Sequence, residues 1–390
     1  MMGCKSALTD IGELKSSIYV LSSTLNFPNG FSASNNKIAL MAKGLSQSNY
    51  RMIICESLKG TCKSYKYDKY DDFDVLTLKR HHSFTSLRNA FFLIRKMRME
   101  KKTYLMSSLA TYSYLDLIFI FFLRLFSGVK FIYIYHELHE SFAKNRLAKI
   151  KHHYLDVFAC RLASLVLPIS HYLNDFARKY NNNTEILPII YEYKDTDLQY
   201  SISPVPIFTY CGTIQYERII NRIIDAFKIV HIEYPEVELN LIISGNRNRV
   251  TSFIEHHRKE HYVHFYSGIP VEELFRLYNQ SYALLIPLDE NNIQDLARFS
   301  QKIAEYLSTK RPIVTNPVGE IVYYFKDCKN AYIMDSIDVN IFAEKIKDIL
   351  KTEAMTVSLI GEAGYKTGVE YFEYKKVMNR ICETISNIEK

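Results

Sequence analysis

The sequence predicts an α/β protein built from two doubly wound domains. Short runs rich in β-branched and aromatic residues alternate with helical patterns in both halves, and such alternation gives parallel strands with crossover helices. The chain has 390 residues, which is too long for one ordinary core and fits two domains of roughly 150–200 residues each. Three predicted strands end in glycine, at Gly212, Gly245 and Gly268. Ligands of open α/β sheets bind outside the carboxyl ends of the strands, so we expect a ligand at these turns.

The second half of the chain shows this pattern most clearly. Six short runs predict strands: IFTYCG, ELNLIISG, VHFYSG, YALLIPL, PIVTNP and NAYIMD. Helical periodicity predicts helices between them, at about 219–233, 250–261, 271–280, 300–309 and 320–326. Together these elements predict a doubly wound C-terminal domain at 207–365.

The first half has the same alternation with longer, more aromatic helices. SIYVLSS predicts a strand, PNGFSASN a turn, NKIALMAKGL a helix and RMIIC the next strand, and VKFIYIY and SLVLPIS predict two later strands. Ile38, Met41 and Leu45 fall on one face of the predicted helix. These elements predict an N-terminal domain at 1–190.

Two further segments connect or follow the predicted domains. Residues 191–206, YEYKDTDLQYSISPVP, are polar, lack periodicity and end with two prolines, so they predict an interdomain linker. Residues 366–390 predict one C-terminal helix. Its apolar stripe consists of Phe372, Val377, Ile381 and Ile385.

Composition and charge exclude several classes of protein. The chain is 48% hydrophobic and 23% charged, which is typical of a globular protein. Its seven cysteines are an odd number without C-x-x-C spacing, so neither a disulfide framework nor a zinc site is predicted. The first seventeen residues lack the continuous apolar core of a signal peptide. We therefore expect a cytoplasmic location.

One apolar run and one basic segment stand out in the first half. The apolar run, LIFIFFLRLF at 117–126, is interrupted by Arg124 and is too short to span a bilayer, so it predicts a buried helix. Lysines and arginines are concentrated at 79–102 beside a single acid, Glu100. This segment predicts a basic surface, which could meet anionic lipid, nucleic acid or only water.

The predicted helix at 300–309 carries a second face in addition to its apolar one. Lys302 and Glu305 stand three residues apart, so they share one side of the helix near its N-terminus. A lysine and a glutamate at this spacing form either an exposed salt bridge or one half of a ligand site. The pair alone favours the salt bridge, and the neighbouring motifs favour the ligand site.

Those motifs resemble the retaining glycosyltransferases of family 4. YCGTIQYERIINRIIDAF, LNLIISGN, VHFYSGIPVEELFRLYNQSYALLIPL and KIAEYLSTKRPIVTNPVGE resemble successive blocks of that family, and the resemblance is strongest at 208–339. The resemblance implies the GT-B fold, in which two Rossmann-like doubly wound domains face each other across a cleft and a C-terminal helix crosses back to the first domain. It also implies that the first domain lies on the acceptor side and the second binds a nucleotide sugar.

The resemblance implies roles for residues of both domains. In the second domain it implies donor-binding roles for Gly212, Arg218, Gly245, Lys302, Glu305 and Gly319. In the first domain NFPNGFSAS matches a glycine-containing loop, so Gly30 and Ser32 are expected to bind the donor at its phosphate or its sugar. His136 closes the strand VKFIYIY and resembles the family histidine that faces the reacting centre, with His139 and Glu137 as alternatives.

Three positions depart from the family pattern, and the first is Phe31, which replaces the usual second glycine of the first-domain loop. The other two lie in the second domain. The first basic residue expected after Gly212 is Thr213, which leaves the diphosphate one positive partner fewer. The glutamate expected eight residues before Glu305 is Ala297. Its role in holding the donor sugar is therefore missing or has moved to the acidic loop LDENNIQD. The candidates in this loop are Asp289, Glu290 and Asp295.

The resemblance implies a retaining transferase that moves a sugar from a nucleotide-diphosphate donor, UDP- or GDP-linked, to an acceptor hydroxyl. No metal or other cofactor is expected, and no nucleic-acid partner. The acceptor is expected to be a glycan of bacterial surface polysaccharide synthesis, and a lipid-linked acceptor would bring the enzyme to the inner face of an anionic membrane. The alternatives are a GT-B-like epimerase and a nucleotide-sugar-binding protein without turnover.

Overall fold

The structure is a computed structural model, and it describes residues 16–22, 33–56, 65–78, 87–100, 103–107, 114–194 and 203–388. The described chain forms two compact units. The first contains the residues up to Ile169, Leu173–Leu187 and those from Met378 onward. The second contains Ser170–Tyr172 and Pro188–Val377.

The first unit is built on a seven-stranded sheet. Its strands are β1 (Ser16–Ser22), β2 (Tyr50–Glu56), β3 (Lys66–Lys69), β4 (Phe73–Thr77), β5 (Thr103–Ser107), β6 (Lys130–Tyr135) and β7 (Leu165–Pro168). They follow the order β3-β4-β2-β1-β5-β6-β7. All neighbours are parallel except β3, which pairs antiparallel with β4 at the edge. Five consecutive residues of β6 are buried, as expected for a parallel strand with both faces covered.

Five α-helices lie among the described residues of the first half of the chain. They are α1 (Ala33–Ser46), α2 (Leu87–Arg98), α3 (Tyr114–Ser127), α4 (Arg146–Leu162) and α5 (His171–Arg178). The predicted helix at 117–126 is present within α3, but the prediction that it is buried was wrong. Only one side of α3 is buried, and the other side exposes large apolar side chains.

The second unit contains a fully parallel six-stranded sheet. Its strands are β8 (Ile207–Thr213), β9 (Glu238–Ser244), β10 (Val263–Tyr266), β11 (Ala283–Leu285), β12 (Ile313–Thr315) and β13 (Tyr332–Ile333), in the order β10-β9-β8-β11-β12-β13. The helices after β8 are α6 (Glu217–Glu233), α7 (Arg247–His256), α8 (Val271–Gln280), α9 (Ile293–Ala297), α10 (Gln301–Leu307), α11 (Ile321–Tyr324), α12 (Val339–Lys351), α13 (Ala354–Tyr371) and α14 (Tyr374–Asn387).

These two sheets confirm the predicted fold class of two doubly wound α/β domains. In each sheet the strand order runs in opposite directions from one central strand, β1 in the first sheet and β8 in the second. The crevice at such a switch point, outside the carboxyl ends of the strands, is where ligands of this architecture bind.

The bounds of several helices differ from the predictions, and a side chain caps the N-terminus of α7 and of α9. The helix predicted at 250–261 is α7, which begins earlier because the Asn246 side chain accepts a hydrogen bond from the Arg249 amide. The helix predicted at 320–326 contains only Ile321–Tyr324. The acidic loop LDENNIQD is partly helical, because Asn292 caps the N-terminus of α9 by accepting from the Gln294 amide.

The predicted single C-terminal helix is two helices. α13 ends at Tyr371 and α14 begins at Tyr374, because the chain at Tyr191 pairs with this segment. The Tyr191 amide donates to the Phe372 carbonyl at 2.9 Å, and the Tyr374 amide donates to the Tyr191 carbonyl at 2.9 Å. The first residues of the predicted linker are therefore held by backbone hydrogen bonds.

From Met378 onward, α14 packs on the first unit. Ile381 and Ile385 are fully buried. Ser386 forms a 3.0 Å hydrogen bond with the Tyr50 hydroxyl, and Arg380 forms an ion pair with Glu185 at 2.9 Å. Every helix among the described residues is too short or too polar to cross a bilayer.

Candidate functional site

The switch point of the second sheet lies at the carboxyl ends of β8 and β11, which are neighbours. The loop after β11 is held by the buried side chain of Asn316, which follows β12. Its oxygen accepts from the Leu288 amide at 2.7 Å, and its nitrogen donates to the Leu288 carbonyl at 2.8 Å. Asn316 thus fixes the start of the acidic loop beside β12. No pattern in the sequence predicted this role.

Helix α10 is tied to the end of β8 by two side chains. The Lys302 ammonium donates to the Cys211 carbonyl at 2.6 Å, and the Cys211 amide donates to the Tyr306 hydroxyl at 3.0 Å. The ammonium also lies 5.7 Å from the centre of the Tyr210 ring. Burial lowers the pKa of Lys302, although the neighbouring Glu305 opposes this shift. The structure therefore places this cation at the carboxyl end of the central strand.

Glu305 and Lys302 do not form a salt bridge. Within the part of the chain that the structure describes, the Glu305 carboxylate has neither an ion pair nor a hydrogen-bond donor. Burial raises its pKa, and the charge of Lys302 opposes this shift. A half-buried carboxylate without a protein donor retains its capacity to accept hydrogen bonds from a ligand. The structure thus excludes the salt-bridge alternative, and donor binding by this pair stays a prediction.

Arg298 is a further cation of this site that the sequence reasoning missed. Its guanidinium donates to the Tyr216 hydroxyl at 2.6 Å and to the Gln294 side chain at 2.9 Å. Asp295 is buried nearby, and burial raises its pKa to about 6 although Arg298 and Lys302 oppose the shift. Arg298 lies outside the motifs that carry the family resemblance, so no signal pointed to it.

The three candidates to replace the family glutamate differ in their burial and in their contacts. Asp289 forms an ion pair with Arg218, and its amide donates to Asp295 at 2.9 Å. Asp289 and Asp295 are therefore adjacent and buried at the end of β11, whereas Glu290 is exposed. Ala297 is fully buried, and its carbonyl accepts from the Ser170 hydroxyl at 2.6 Å.

Thr213 and the strand-end glycines line the same edge of the sheet. The Thr213 hydroxyl is buried and has no hydrogen-bond partner among the described residues. A Cβ on Gly212 would lie 2.4 Å from the Tyr210 hydroxyl, so any larger residue there would displace the Tyr210 ring. Gly245 directly follows β9. Thr213 therefore offers an unused hydroxyl in place of the expected cation.

Gly319 lies in the loop between β12 and α11, with φ +57°. A Cβ there would lie 2.7 Å from the Asp295 carbonyl oxygen. We expect Gly319→Ala to lower the free energy of unfolding by about 1–3 kcal/mol from backbone strain, with more from this clash. Gly268→Ala is the matched control, because Gly268 also has positive φ but no atom within 4 Å of the built Cβ. Calorimetric melting of both variants checks this, and equal losses would show that the contact with Asp295 is unimportant.

The site residues predicted in the first unit are only partly described. Gly30 and Ser32 lie outside the described residues. His136 follows β6, and its Nε2 is buried without a hydrogen-bond partner among the described residues. Burial and the charge of Lys37 hold the pKa of His136 well below its ordinary value. The imidazole is therefore neutral at physiological pH. It can donate or accept a hydrogen bond but carries no charge.

Lys37 on α1 is a second residue that the sequence reasoning missed. It is only 6% exposed, and its ammonium has no partner among the described residues. Burial lowers its pKa to about 7. A signal was present in the sequence, because Lys37 stands four residues before Met41 and so shares the apolar face of the helix.

His139, an alternative to His136, has a structural role. Its ring pairs through Nδ1 with Asp156, which is fully buried, and its amide donates to the same carboxylate at 3.0 Å. These contacts occupy one ring nitrogen and fix the imidazole against α4. His136, whose Nε2 has no hydrogen-bond partner among the described residues, remains the stronger candidate for contact with a substrate.

Solved structures match nearly the whole chain. Sucrose-phosphate synthase from Thermosynechococcus elongatus has a TM-score of 0.71 at 12% identity, covering 96% of this chain and 99% of that chain. The Anabaena protein Alr3699/HepE in complex with UDP-glucose has a TM-score of 0.69 at 13% identity, covering 95% and 99%. A glycosyltransferase from Rickettsia africae has a TM-score of 0.71 at 13% identity, covering 96% and 99%. At such identities these likenesses establish the fold.

The sequence comparison is informative for the second unit. Residues 199–367 match the family described as Glycosyl transferases group 1. No curated protein matches the chain in sequence at a significant level. The fold is therefore that of the GT-B glycosyltransferases among these solved structures, and one segment of the chain matches the group 1 family. The matched segment lies within the second unit.

Proposed function

We propose that this enzyme transfers a sugar from a nucleoside diphosphate to an acceptor hydroxyl with retention of the anomeric configuration, as the family 4 resemblance implies. The observation that carries the proposal is the arrangement of the Lys302 and Glu305 side chains. They share one side of α10 at the switch point, yet they do not pair with each other. A cation and a carboxylate held apart in this way suit the diphosphate and the ribose hydroxyls of one nucleotide.

The leaving group defines what the site must supply. Breaking the anomeric bond increases the negative charge on the diphosphate, so fixed cations at that position lower the barrier. Lys302 and Arg298 supply positive charge at the end of β8. Arg218 can also bind the diphosphate once its ion pair with Asp289 is broken. These side chains do the work that a metal ion performs in other transferases, so the proposed reaction requires no metal. In the retaining scheme the departing phosphate oxygen deprotonates the acceptor, and no enzymic base is assigned.

Two other assignments complete the donor site. Asp289 and Asp295 are proposed to take over the sugar-binding role of the family glutamate that is Ala297 here. His136 of the first unit is proposed to hydrogen-bond the reacting sugar through Nε2, which has no partner in the part of the chain that the structure describes. The complex of the similar Anabaena protein with UDP-glucose makes UDP-sugars the first donors to test, followed by GDP-sugars.

The acceptor is proposed to be a lipid-linked glycan of bacterial surface polysaccharide synthesis, met at the inner face of the membrane. Within the basic segment 79–102, Arg95 and Arg98 are exposed, which is compatible with an anionic surface. Lys79, Arg80, Lys101 and Lys102 lie outside the described residues.

Release of the nucleoside diphosphate from a panel of UDP- and GDP-sugars tests the transfer, measured with and without EDTA. We expect release that persists in EDTA and falls at least ~100-fold in Lys302→Met, the loss typical of removing one group that stabilises transition-state charge. Exposed Lys259→Met is the matched control. Nucleotide binding without release would establish a binding protein without turnover, and recovery of an epimerised sugar would establish an epimerase.

A further inference from the structure

Helix α3 is apolar on both of its sides. Leu117, Phe119, Ile120 and Leu123 are buried in the first unit. The opposite side exposes six large apolar residues, each between 41% and 62% accessible. These are Leu115, Ile118, Phe121, Phe122, Leu125 and Phe126. A surface helix normally turns polar residues to water, whereas a helix that is apolar all round lies in a core or in lipid.

Helix α4 extends this surface. Leu147, Ile150, Tyr154 and Phe158 recur every three or four residues, so they form one stripe, and each is between 48% and 80% accessible. The two helices are joined, because the Tyr114 hydroxyl donates to the Lys151 carbonyl at 2.7 Å. A groove of about 420 Å³ is lined by Ile118, Phe121, Phe158 and Arg161, among other residues of α3 and α4. We call the exposed apolar residues of the two helices the α3–α4 apolar face.

The charges beside this face are mainly positive. Four basic residues of α4 are exposed: Arg146, Lys149, Lys151 and Arg161. The one acidic residue of α4, Asp156, is fully buried. On α3 the basic residue is Arg124 and the acidic residue is Asp116, and both are half-buried. An apolar stripe flanked by exposed lysines and arginines has the composition of an element that lies in a membrane interface.

We propose that the α3–α4 apolar face inserts into the interface of an anionic lipid bilayer. A helix of 14 residues is about 21 Å long, which is shorter than the hydrocarbon core of about 30 Å, so α3 lies along the surface. A second copy of the chain is the less suitable occupant, because a symmetric contact would bring the basic residues of α4 together. This inference rests on the lipid-linked acceptor of the proposed function. Its test is independent of that function, because binding to vesicles requires no catalytic turnover.

The sequence contains no tryptophan, which provides a direct probe. Phe121→Trp gives the chain a single tryptophan within the face, and Ile232→Trp places one at an exposed position of the second unit. With vesicles of phosphatidylcholine and 30% phosphatidylglycerol, we expect a blue shift of the emission for Phe121→Trp and none for Ile232→Trp. An unchanged Phe121→Trp spectrum would overturn the proposal, as would a blue shift that depends on protein concentration without vesicles, since that indicates a second copy.

Flotation of the full chain gives a second measurement. We expect Ile118→Asp/Phe121→Asp to lower the vesicle-bound fraction at least tenfold, and Ile232→Asp to leave it unchanged. We also expect binding to weaken in high salt and on vesicles of phosphatidylcholine alone. Nucleoside diphosphate release measured without vesicles should be the same in both variants. Flotation that is unaffected by the double substitution would overturn the proposal while leaving the transferase assignment intact.

Discussion

Replacing Glu305 by glutamine is expected to weaken binding of the nucleoside diphosphate by about 1.5–3 kcal/mol, the range for a hydrogen bond to a charged group. Glutamine keeps the shape of the side chain but cannot accept both ribose hydroxyls as an ionised carboxylate does. The corresponding loss of affinity is roughly 10- to 150-fold. Calorimetric titration of wild type and variant with UDP and with GDP measures this difference.

The stability of the same variant separates a binding role from a structural one. Burial raises the pKa of Glu305, so the folded protein disfavours its ionised form and this cost is present at neutral pH. We therefore expect Glu305→Gln to melt at the same temperature as wild type or higher. The control is Glu272→Gln at an exposed position of α8. Unchanged nucleotide affinity in Glu305→Gln would remove this residue from the donor site.

Replacing Lys37 by methionine is expected to stabilise the protein at neutral pH. Burial lowers the pKa of Lys37 from an ordinary 10.5 to about 7. Between these values the unfolded lysine carries a proton that the folded lysine does not, so the stability of wild type rises with pH across this window. At about 1.36 kcal/mol per pKa unit, the cost at and below pH 7 is at most about 5 kcal/mol, and we expect Lys37→Met to recover a few kcal/mol.

Calorimetric melting at pH 6, 8 and 10 tests this expectation. The gain in melting temperature from Lys37→Met should be largest at pH 6 and should shrink towards pH 10. The exposed Lys179→Met provides the control in the same unit. We also expect Lys37→Met to lose nucleoside diphosphate release, because the Lys37 ammonium lies near His136 and has no partner within the described ranges. A stabilised variant with full activity would show that Lys37 has no role in the reaction.

The sequence was sufficient to predict the fold and part of the candidate site. Alternating strands and helices predicted both sheets, and the spacing of Lys302 and Glu305 placed them together on α10. The pairing of Arg218 with Asp289 could not be predicted, because it joins separate elements through the folded sheet. Arg298 was missed because it follows α9, a helix of five residues that is too short for a periodic pattern.

The apolar run in α3 shows a second limit of sequence reasoning. A periodic pattern reveals which residues are apolar, but a helix apolar on all sides gives no contrast between its inward and outward faces. Burial was therefore the default prediction for 117–126. The structure instead buries Leu117 and Leu123 and exposes Phe121 and Leu125, which only the packing of the neighbouring elements could decide.

The position of α14 has a consequence for synthesis of the protein on the ribosome. Lys130 donates to the Ile388 carbonyl, and Tyr50 bonds to the same helix, so the first unit includes residues translated after the whole second unit. A nascent chain that has not reached Met378 leaves uncovered the apolar surface on which Ile381 and Ile385 later pack. The first unit, although its synthesis begins first, is thus completed only after the second unit has been translated, and exposed apolar surface of this kind makes a folding intermediate prone to aggregation.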